Sequence, residues 1–328
     1  MKGIKLLGVP FKAGQPHSGV AQAPEAMREN HLIPLLRAFS PRVDDLGDLD
    51  FSLCGDHSDG QIKNERASAL GNALISESIQ SENLKDFFLL NIGGDHGLAL
   101  GTIHGLLHHY PDLIVVWADA HGDINTPDAS QSGNFHGMPL SFLLKGNQGR
   151  EEFAWLRKIL RPERLIFMGP RDLDPAEKEI IRDLGIQWYS SDDINSFGAE
   201  ALLQMALRIA DPHGKAPIHL SFDVDVFDSE DVVATGTRVP QGPDKNEMMK
   251  LGQLLGETGR LQSMDLVEVN PDFSHEKKTC ETLELALRFT LSVTASVFAQ
   301  HPAPLMFPSE RLKNKAGTAV PALLNYCS

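Results

Sequence analysis

The sequence of 328 residues is 41% hydrophobic and 23% charged, as in an ordinary globular protein large enough to bury an extensive core. Its 30 basic and 44 acidic side chains leave a formal net charge of −14, which argues against a nucleic-acid or anionic-membrane partner. The chain has no apolar run of about 18 residues, so we expect no transmembrane helix. Its first residues enter a strand pattern without a signal peptide, and we interpret Cys54, Cys280 and Cys327 as reduced thiols in a cytoplasmic protein.

Short apolar runs alternate with longer amphipathic segments along the chain. The apolar runs predict strands buried in a parallel sheet, at Ile4–Val9, Phe87–Ile92, Leu113–Ala118, Arg164–Met168, Ile186–Tyr189, Pro217–Phe222 and Gln262–Val269. The amphipathic segments predict helices at Glu25–Phe39, Glu65–Gln80, Leu98–His109, Pro175–Leu184, Ala199–Ala210, Asn246–Glu257 and Glu276–Ala299. This alternation predicts βαβ units with helices on both faces of the sheet.

Composition does not change abruptly along residues 1–300, so we expect one α/β domain there. We expect residues 301–328 to form a tail that either lies at a subunit interface or is a disordered or self-packed terminus. No Gly-x-Gly-x-x-Gly pattern follows the first predicted strand, which excludes a nicotinamide-binding dehydrogenase.

Three polar clusters follow predicted strands. They are Gly93-Gly94-Asp95-His96-Gly97, Asp119-Ala120-His121-Gly122-Asp123 and Asp223-Val224-Asp225. On extended backbone, Asp119, His121 and Asp123 face one side, as do Asp223 and Asp225, and ligands of an open parallel sheet bind beyond the carboxyl ends of its strands. So many carboxylates repel one another unless a cation neutralises them, and an oxygen-rich set without thiolates favours paired manganese over zinc. One cluster alone is equally consistent with turn capping, but the three together predict a divalent-metal site.

Two nearby polar residues have simpler interpretations. Asp95 follows a sharp Gly93-Gly94 turn, which needs a local hydrogen-bond acceptor. His219 lies inside a predicted strand, where a satisfied core histidine is the more ordinary interpretation.

The order and spacing of the three clusters resemble the ureohydrolase family of arginases, agmatinases and formimidoylglutamases, and most closely the arginases. Other segments that carry the resemblance are Gly8–Pro16, Ile124–Pro127, Ser132–Pro139, Gly169–Glu177, Ala234–Thr237 and Val267–Pro271. The resemblance covers roughly residues 4 to 300. It implies a three-layer α/β/α fold around a mostly parallel sheet.

The resemblance also implies two Mn²⁺ ions per subunit and a reaction. The implied ligands are His96 and Asp123 for one ion, His121 and Asp225 for the other, and Asp119 and Asp223 as bridges. A metal-bridging hydroxide, oriented by Asp123, would attack the guanidinium carbon of L-arginine and yield L-ornithine and urea. His136 would give a proton to the leaving amine, and Glu268 would pair with the guanidinium.

Substrate recognition follows from the same resemblance. The implied donors to the α-carboxylate are Asn125, Ser130 and Ser132, supported by Asn134, and Thr237 lines the pocket. Asp174 would meet the α-ammonium directly and Glu177 would meet it through water. From the residues alone, the serine-rich loop is better explained as a solvated turn, and Asp174-Pro175-Ala176-Glu177 is equally explained as an ordinary acidic helix N-terminus.

Several positions depart from the arginase pattern, among them Gly97, Ser229 and residues 240–242. Gly122 and Val226 stand where arginases usually carry Thr and Gly, and Arg238 stands where they carry Pro. Val226 is harmless if its φ is negative, and Arg238 weakens binding of a cationic substrate unless it points away. A ureohydrolase for agmatine or another guanidino compound, or a catalytically weak metal-binding member, therefore remains an alternative. The resemblance also implies a homotrimer or homohexamer.

Overall fold

A computed structural model describes residues 1–55, 60–273 and 276–299. Within them, eight strands form one sheet in the order β2-β1-β3-β8-β7-β4-β5-β6. The strands are β1 (Gly3–Val9), β2 (Val43–Asp48), β3 (Phe87–Gly93), β4 (Ile114–Ala118), β5 (Leu165–Met168), β6 (Gln187–Tyr189), β7 (Ile218–Asp223) and β8 (Leu261–Val267). All seven strand pairings are parallel, which confirms the predicted fold class.

Helices cover both faces of this sheet. They are α1 (Ala23–Glu29), α2 (Leu32–Leu36), α3 (Glu65–Ser81), α4 (Ala99–His109), α5 (Pro139–Lys145), α6 (Pro175–Asp183), α7 (Ser191–Phe197), α8 (Ala199–Ala210), α9 (Lys245–Glu257) and α10 (Glu276–Phe298). Side chains alternate between two cores: Val116 packs in the core under α8, α9 and α10, while Val115 and Trp117 pack under α3, α4 and α5. The sheet is thus the middle of three layers.

Several elements differ from the sequence predictions. Strand β2 was not predicted, because its residues Val43–Asp48 are mostly polar and form an edge. The helix predicted over Glu25–Phe39 is two helices, since His31 between them has a φ of 64°. Helices α5 and α7 are short and were also not predicted.

Two further expectations concern cysteines and membranes. Cys54 is a free, partly buried thiol, but Cys280 is disulfide-bonded, so the expectation of reduced cysteines is wrong there. Cys327 and the predicted tail, residues 301–328, lie outside the described residues. None of the helices in the described part of the chain has the length and apolar character needed to span a membrane.

Candidate metal centre and active site

The three polar clusters converge at the carboxyl ends of neighbouring strands. His96 follows β3, Asp119 directly follows β4, and Asp223 ends β7. Strands β7 and β4 are hydrogen-bonded neighbours, and β8 joins β7 to β3. Parallel pairing therefore places all three clusters at one edge of the sheet, as expected for a ligand site.

His96 lies at the centre of the first half of the site. Its Nδ1 is 2.9 Å from Asp119 Oδ2, 3.2 Å from Asp123 Oδ2 and 3.3 Å from Asp223 Oδ2. The other ring nitrogen, Nε2, lies 2.9 Å from Ser221 Oγ. Its ring stacks on Trp117 at a centroid distance of 3.9 Å, so the buried imidazole is fixed in place.

His121 forms the second half. Its Nδ1 lies 3.2 Å from Asp225 Oδ2 and 3.4 Å from Asp119 Oδ1. Asp119 thus faces both histidines, and the indole N–H of Trp117 donates to its Oδ2 at 3.0 Å. Two groups have ligand atoms within 4.8 Å of one another: His96, Asp119 and Asp223 in one, and Asp119, His121 and Asp225 in the other.

The electrostatics of these residues fit a pair of cations. Burial, reinforced by the charges of Asp225 and Asp119, holds the pKa of Asp223 well above its usual value. Burial by itself lowers the pKa of His96, but the three surrounding carboxylates outweigh it and raise the pKa. Although three carboxylate oxygens lie within 3.3 Å of His96 Nδ1, none is aligned to form a hydrogen bond with it. A divalent ion between these donors would satisfy that nitrogen and neutralise the carboxylates, so the residues fit a binuclear metal site.

The backbone at two of these positions is not extended. Asp123 has a φ of 48° in the left-handed region, and Asp225 lies in a short 3₁₀ turn formed by Val224–Val226. The expectation that alternation along extended backbone aims these carboxylates is therefore wrong for both. The turn after Asp223 is closed by the Asp225 N–H, which donates to Asp223 Oδ1 at 2.8 Å.

A second pair of ionisable groups lies beside the metal residues. Glu268 Oε1 is 3.0 Å from His136 Nδ1 and accepts the backbone N–H of His96 at 2.9 Å. Burial lowers the pKa of His136, but its hydrogen bond and ion pair with Glu268 prevail and raise the pKa to about 9. Glu268 Oε2 is buried without a hydrogen-bond partner. This carboxylate therefore has one oxygen left for a cationic group.

The interpretation of Asp95 is confirmed, whereas His219 is a core histidine satisfied at only one ring nitrogen, because its Nε2 has no hydrogen-bond partner among the described residues. Asp95 accepts the backbone N–H groups of Gly14 and Gly97 at 2.8 and 2.9 Å. Burial and the nearby charge of Glu268 raise its pKa to about 8. His219 is fully buried, with its Nδ1 2.9 Å from Ser263 Oγ.

A cleft of about 170 Å³ opens onto the metal residues. It is lined by His121, Asp123, Asn125, His136, Gly137, Asp172, Asp174, Glu177, Asp223 and Thr237. Thr237 Oγ1 donates to Asp225 Oδ2 at 3.0 Å, and Asn125 Nδ2 donates to Asp174 Oδ2 at 2.9 Å. Of the residues implied to bind substrate, these two together with Asp174 and Glu177 reach the cleft.

Three other residues implied to bind substrate do not line it. Ser130 Oγ accepts the N–H of Gly133, Ser132 Oγ accepts the N–H of Asn134, and Asn134 Oδ1 accepts from Lys63 Nζ at 3.4 Å. Asp172 does line the cleft and was not predicted. The sequence offers one signal that Asp172 lines the cleft. It lies two residues before Asp174, and alternate residues of an extended segment share a side.

The structure shows where Val226 and Arg238, which depart from the arginase sequence pattern, lie relative to the cleft. Val226 is fully buried and is not among the described residues with positive φ, so its side chain is compatible with the backbone. Arg238 is exposed and is not one of the cleft-lining residues. Neither change removes a group from the site.

An Asp- and His-lined cleft at the carboxyl edge of a parallel sheet is the arrangement of a metal-dependent α/β hydrolase. The family model for arginases matches residues 2–295. Human mitochondrial arginase-2 is 36% identical over 90% of this chain and 85% of its own length. An arginase of Schizosaccharomyces pombe is 38% identical over 86% of this chain and 89% of its own length.

Solved structures of arginases superpose on this chain over most of its length. The arginase of Bacillus caldovelox superposes with a TM-score of 0.81 at 32% identity, over 90% of this chain and 98% of that one. The arginase of Entamoeba histolytica in complex with L-ornithine superposes with a TM-score of 0.81 at 28% identity, over 89% of this chain and 98% of that one. The chain belongs to the arginase family, and it is a hydrolase of the ureohydrolase type.

Proposed function

We propose that the protein hydrolyses L-arginine to L-ornithine and urea with two Mn²⁺ ions per subunit. The observation that carries this proposal is the composition of the cleft, where the metal residues His121 and Asp123 meet the acidic residues Asp174 and Glu177. A substrate with a guanidinium at one end and an α-ammonium at the other matches these two parts. The Entamoeba arginase was solved in complex with L-ornithine, the amino acid that hydrolysis of such a substrate leaves behind.

The residues around the guanidinium have separable roles. The free Oε2 of Glu268 accepts a guanidinium N–H, because a buried carboxylate oxygen without a partner is costly. The raised pKa of His136, about 9, keeps its imidazole protonated at neutral pH, ready to donate to the leaving amine. When bound, the two ions supply Lewis-acid activation of a water molecule.

A second candidate substrate is a guanidino compound without an α-carboxylate, such as agmatine. The observation that favours it is the placement of Ser130 and Ser132, whose hydroxyls accept backbone N–H groups of their own loop and do not line the cleft. In addition, Asn125 Nδ2 is engaged with Asp174.

The experiment is to load the protein with manganese and measure urea release from L-arginine and, separately, from agmatine. Release from L-arginine, abolished in His136→Ala, supports the proposal. Release from agmatine alone transfers the proposal to the second candidate. No release from either substrate, with two ions bound, refutes both and favours a catalytically weak metal-binding member.

The assembly is proposed on the family resemblance, and the location and partners on the composition and negative charge of the chain. We propose a homotrimer or homohexamer in the cytoplasm, acting on a small molecule without a nucleic-acid or membrane partner. Sedimentation velocity of the full chain distinguishes the two assemblies from a monomer.

A further inference from the structure

We propose that Glu177 is a positioning residue, and that its carboxylate can take up its position because Gly122 has no side chain. Together they set the distance between the metal loop, residues 119–125, and Asp174 at the start of α6. This inference rests on the proposed function, because Asp174 is the acceptor assigned there to the α-ammonium.

The carboxylate of Glu177 bridges two segments of the chain. Its Oε2 accepts the backbone N–H of Asp174 at 2.9 Å, and its Oε1 accepts the backbone N–H of Ile124 at 3.2 Å. The residue is only 4% exposed. Asn125, whose Nδ2 donates to Asp174 Oδ2, forms a second connection across the same gap. Both oxygens of Glu177 are thus occupied by backbone amides, one on the metal loop and one on α6.

The bridge depends on the absence of a side chain at residue 122. A Cβ added there would lie 2.8 Å from Glu177 Oε1 and 2.8 Å from Leu173 Cδ2. Gly122 is not among the described glycines with positive φ, so its backbone does not itself require glycine. The close approach of the carboxylate therefore accounts for the glycine.

The bridge acts on one end of the substrate. Asp174 is held through its own backbone N–H, while the groups assigned to the guanidinium, His136 and Glu268, contact each other beside the metal residue His96. Loosening the bridge displaces the ammonium acceptor relative to the metal residues. We therefore expect weaker binding of substrates with an α-ammonium, and little change in the turnover of bound substrate.

The test uses Gly122→Ala, Glu177→Ala, their double variant and the milder Glu177→Gln, which keeps one acceptor oxygen. Gly60→Ala is the matched control, because a Cβ at Gly60 meets its nearest atom only at 3.9 Å. Each manganese-loaded protein is assayed for KM and kcat with L-arginine. The inhibition constant of 5-guanidinopentanoate, which is arginine without its α-amino group, is measured alongside.

We expect Gly122→Ala and Glu177→Ala each to raise the KM for L-arginine about tenfold, the effect of losing roughly one charge-assisted hydrogen bond. The kcat and the inhibition constant of 5-guanidinopentanoate change less than about twofold, and Glu177→Gln lies between wild type and Glu177→Ala. If Gly122 acts through Glu177, the double variant is no worse than Glu177→Ala. Gly60→Ala matches wild type.

Additive effects on KM in the double variant would overturn the inference. Equal weakening of the binding of L-arginine and of 5-guanidinopentanoate would also overturn it. A loss of manganese affinity in Gly122→Ala, measured by calorimetry, would also overturn it, because the effect would then pass through the metal ligands. Hydrogen exchange tests the bridge without turnover: the amides of Ile124 and Asp174 should exchange faster in Glu177→Ala. If wild type releases no urea from L-arginine, the proposed function fails, whereas the exchange result still decides whether the bridge exists.

Discussion

His136 and Glu268 form a buried pair whose strength depends on pH. The pKa of His136 in the folded protein is about 9, above the value of about 6.5 expected in the unfolded chain. The pair therefore stabilises the fold fully below pH of about 6.5, and this contribution is lost as the pH rises through about 9. The same shift keeps the imidazole protonated over the neutral range.

The first prediction compares wild type with His136→Asn in chelator. Wild type should have the higher melting temperature at pH 6, and the difference should shrink towards zero by about pH 9.5. Differential scanning calorimetry measures it, and His213→Asn, which changes an exposed histidine, serves as control. A difference that does not vary with pH would contradict the raised pKa.

Gly169 and Val226 form a second residue-scale pair behind the site. Gly169 has a φ of 95°, and a Cβ added there would lie 2.6 Å from Val226 Cγ2. Val226 stands where arginases usually carry Gly, so this chain has filled the space on one side of the contact. Gly169 therefore has no room for a methyl group.

The second prediction is that Gly169→Ala destabilises the protein by about 2–4 kcal/mol, the sum of backbone strain and overpacking. Part of the cost is the contact with Val226. The loss of unfolding free energy in the double variant Gly169→Ala/Val226→Ala should therefore be smaller than the sum of the losses in the two single variants. Urea unfolding of all four proteins gives the coupling. Strict additivity would show that only the backbone is strained.

At the scale of elements, Arg171 joins the loop after β5 to the loops after β7. Its guanidinium donates to six backbone carbonyls, those of Gly169, Asp225, Val226, Phe227, Val239 and Pro240, at 2.9–3.3 Å. Asp225 and Thr237 lie on the segments held this way. A planar group with five donors suits this role, and an ammonium with three does not.

The third prediction is therefore that Arg171→Lys costs about 2–4 kcal/mol, because several buried carbonyls lose their donor. Amide exchange should rise over residues 225–240 and stay unchanged in the distant helix α4. Hydrogen exchange with mass spectrometry measures both. Arg208→Lys, on exposed α8 surface, is the matched control and should resemble wild type.

The sequence predicted elements wherever an apolar pattern was imposed by two-sided burial. Strand β3 is buried at all seven residues and was found almost to its ends, whereas β2 is polar because it has an exposed edge. The break at His31 depends on one left-handed residue, which no periodicity reveals.

The candidate site divides in the same way. The metal residues stand at strand ends and were visible as a pattern, but the left-handed turn at Asp123 was not. The bridge by Glu177 was also missed, because it joins two segments distant in the chain and depends on a side chain that Gly122 lacks. Contacts of this kind follow from tertiary packing rather than from local pattern.

At the scale of the molecule, the metal centre is a concentrated charge in a chain whose formal net charge is −14. Burial raises the pKa of Asp223 above its unfolded value, so its stabilising contribution exists only at low pH and is lost as the pH rises through the raised pKa. At neutral pH, without metal, this carboxylate opposes folding. A bound cation reverses the sign of that contribution.

The fourth prediction follows for Asp223→Asn. In chelator at pH 7 the variant should melt at a higher temperature than wild type, because a repelling charge is gone while its oxygen still accepts the Asp225 N–H. With manganese the order should invert, since wild type gains stability with ion concentration and the variant gains little. Thermal melts across a manganese series measure this, and a variant less stable in chelator would contradict it.

The strand order also constrains when the protein can be assembled. Strands β2, β1 and β3 form one group and β7, β4, β5 and β6 another, and within the sheet β8 is the strand that pairs with both groups. His96 belongs to the first group, whereas Asp119 and Asp223 belong to the second. On the ribosome, the ligands therefore remain on separate half-sheets until residues 261–267 have emerged. We therefore expect ion capture to be a late step in folding, one that reports that the centre of the sheet has closed.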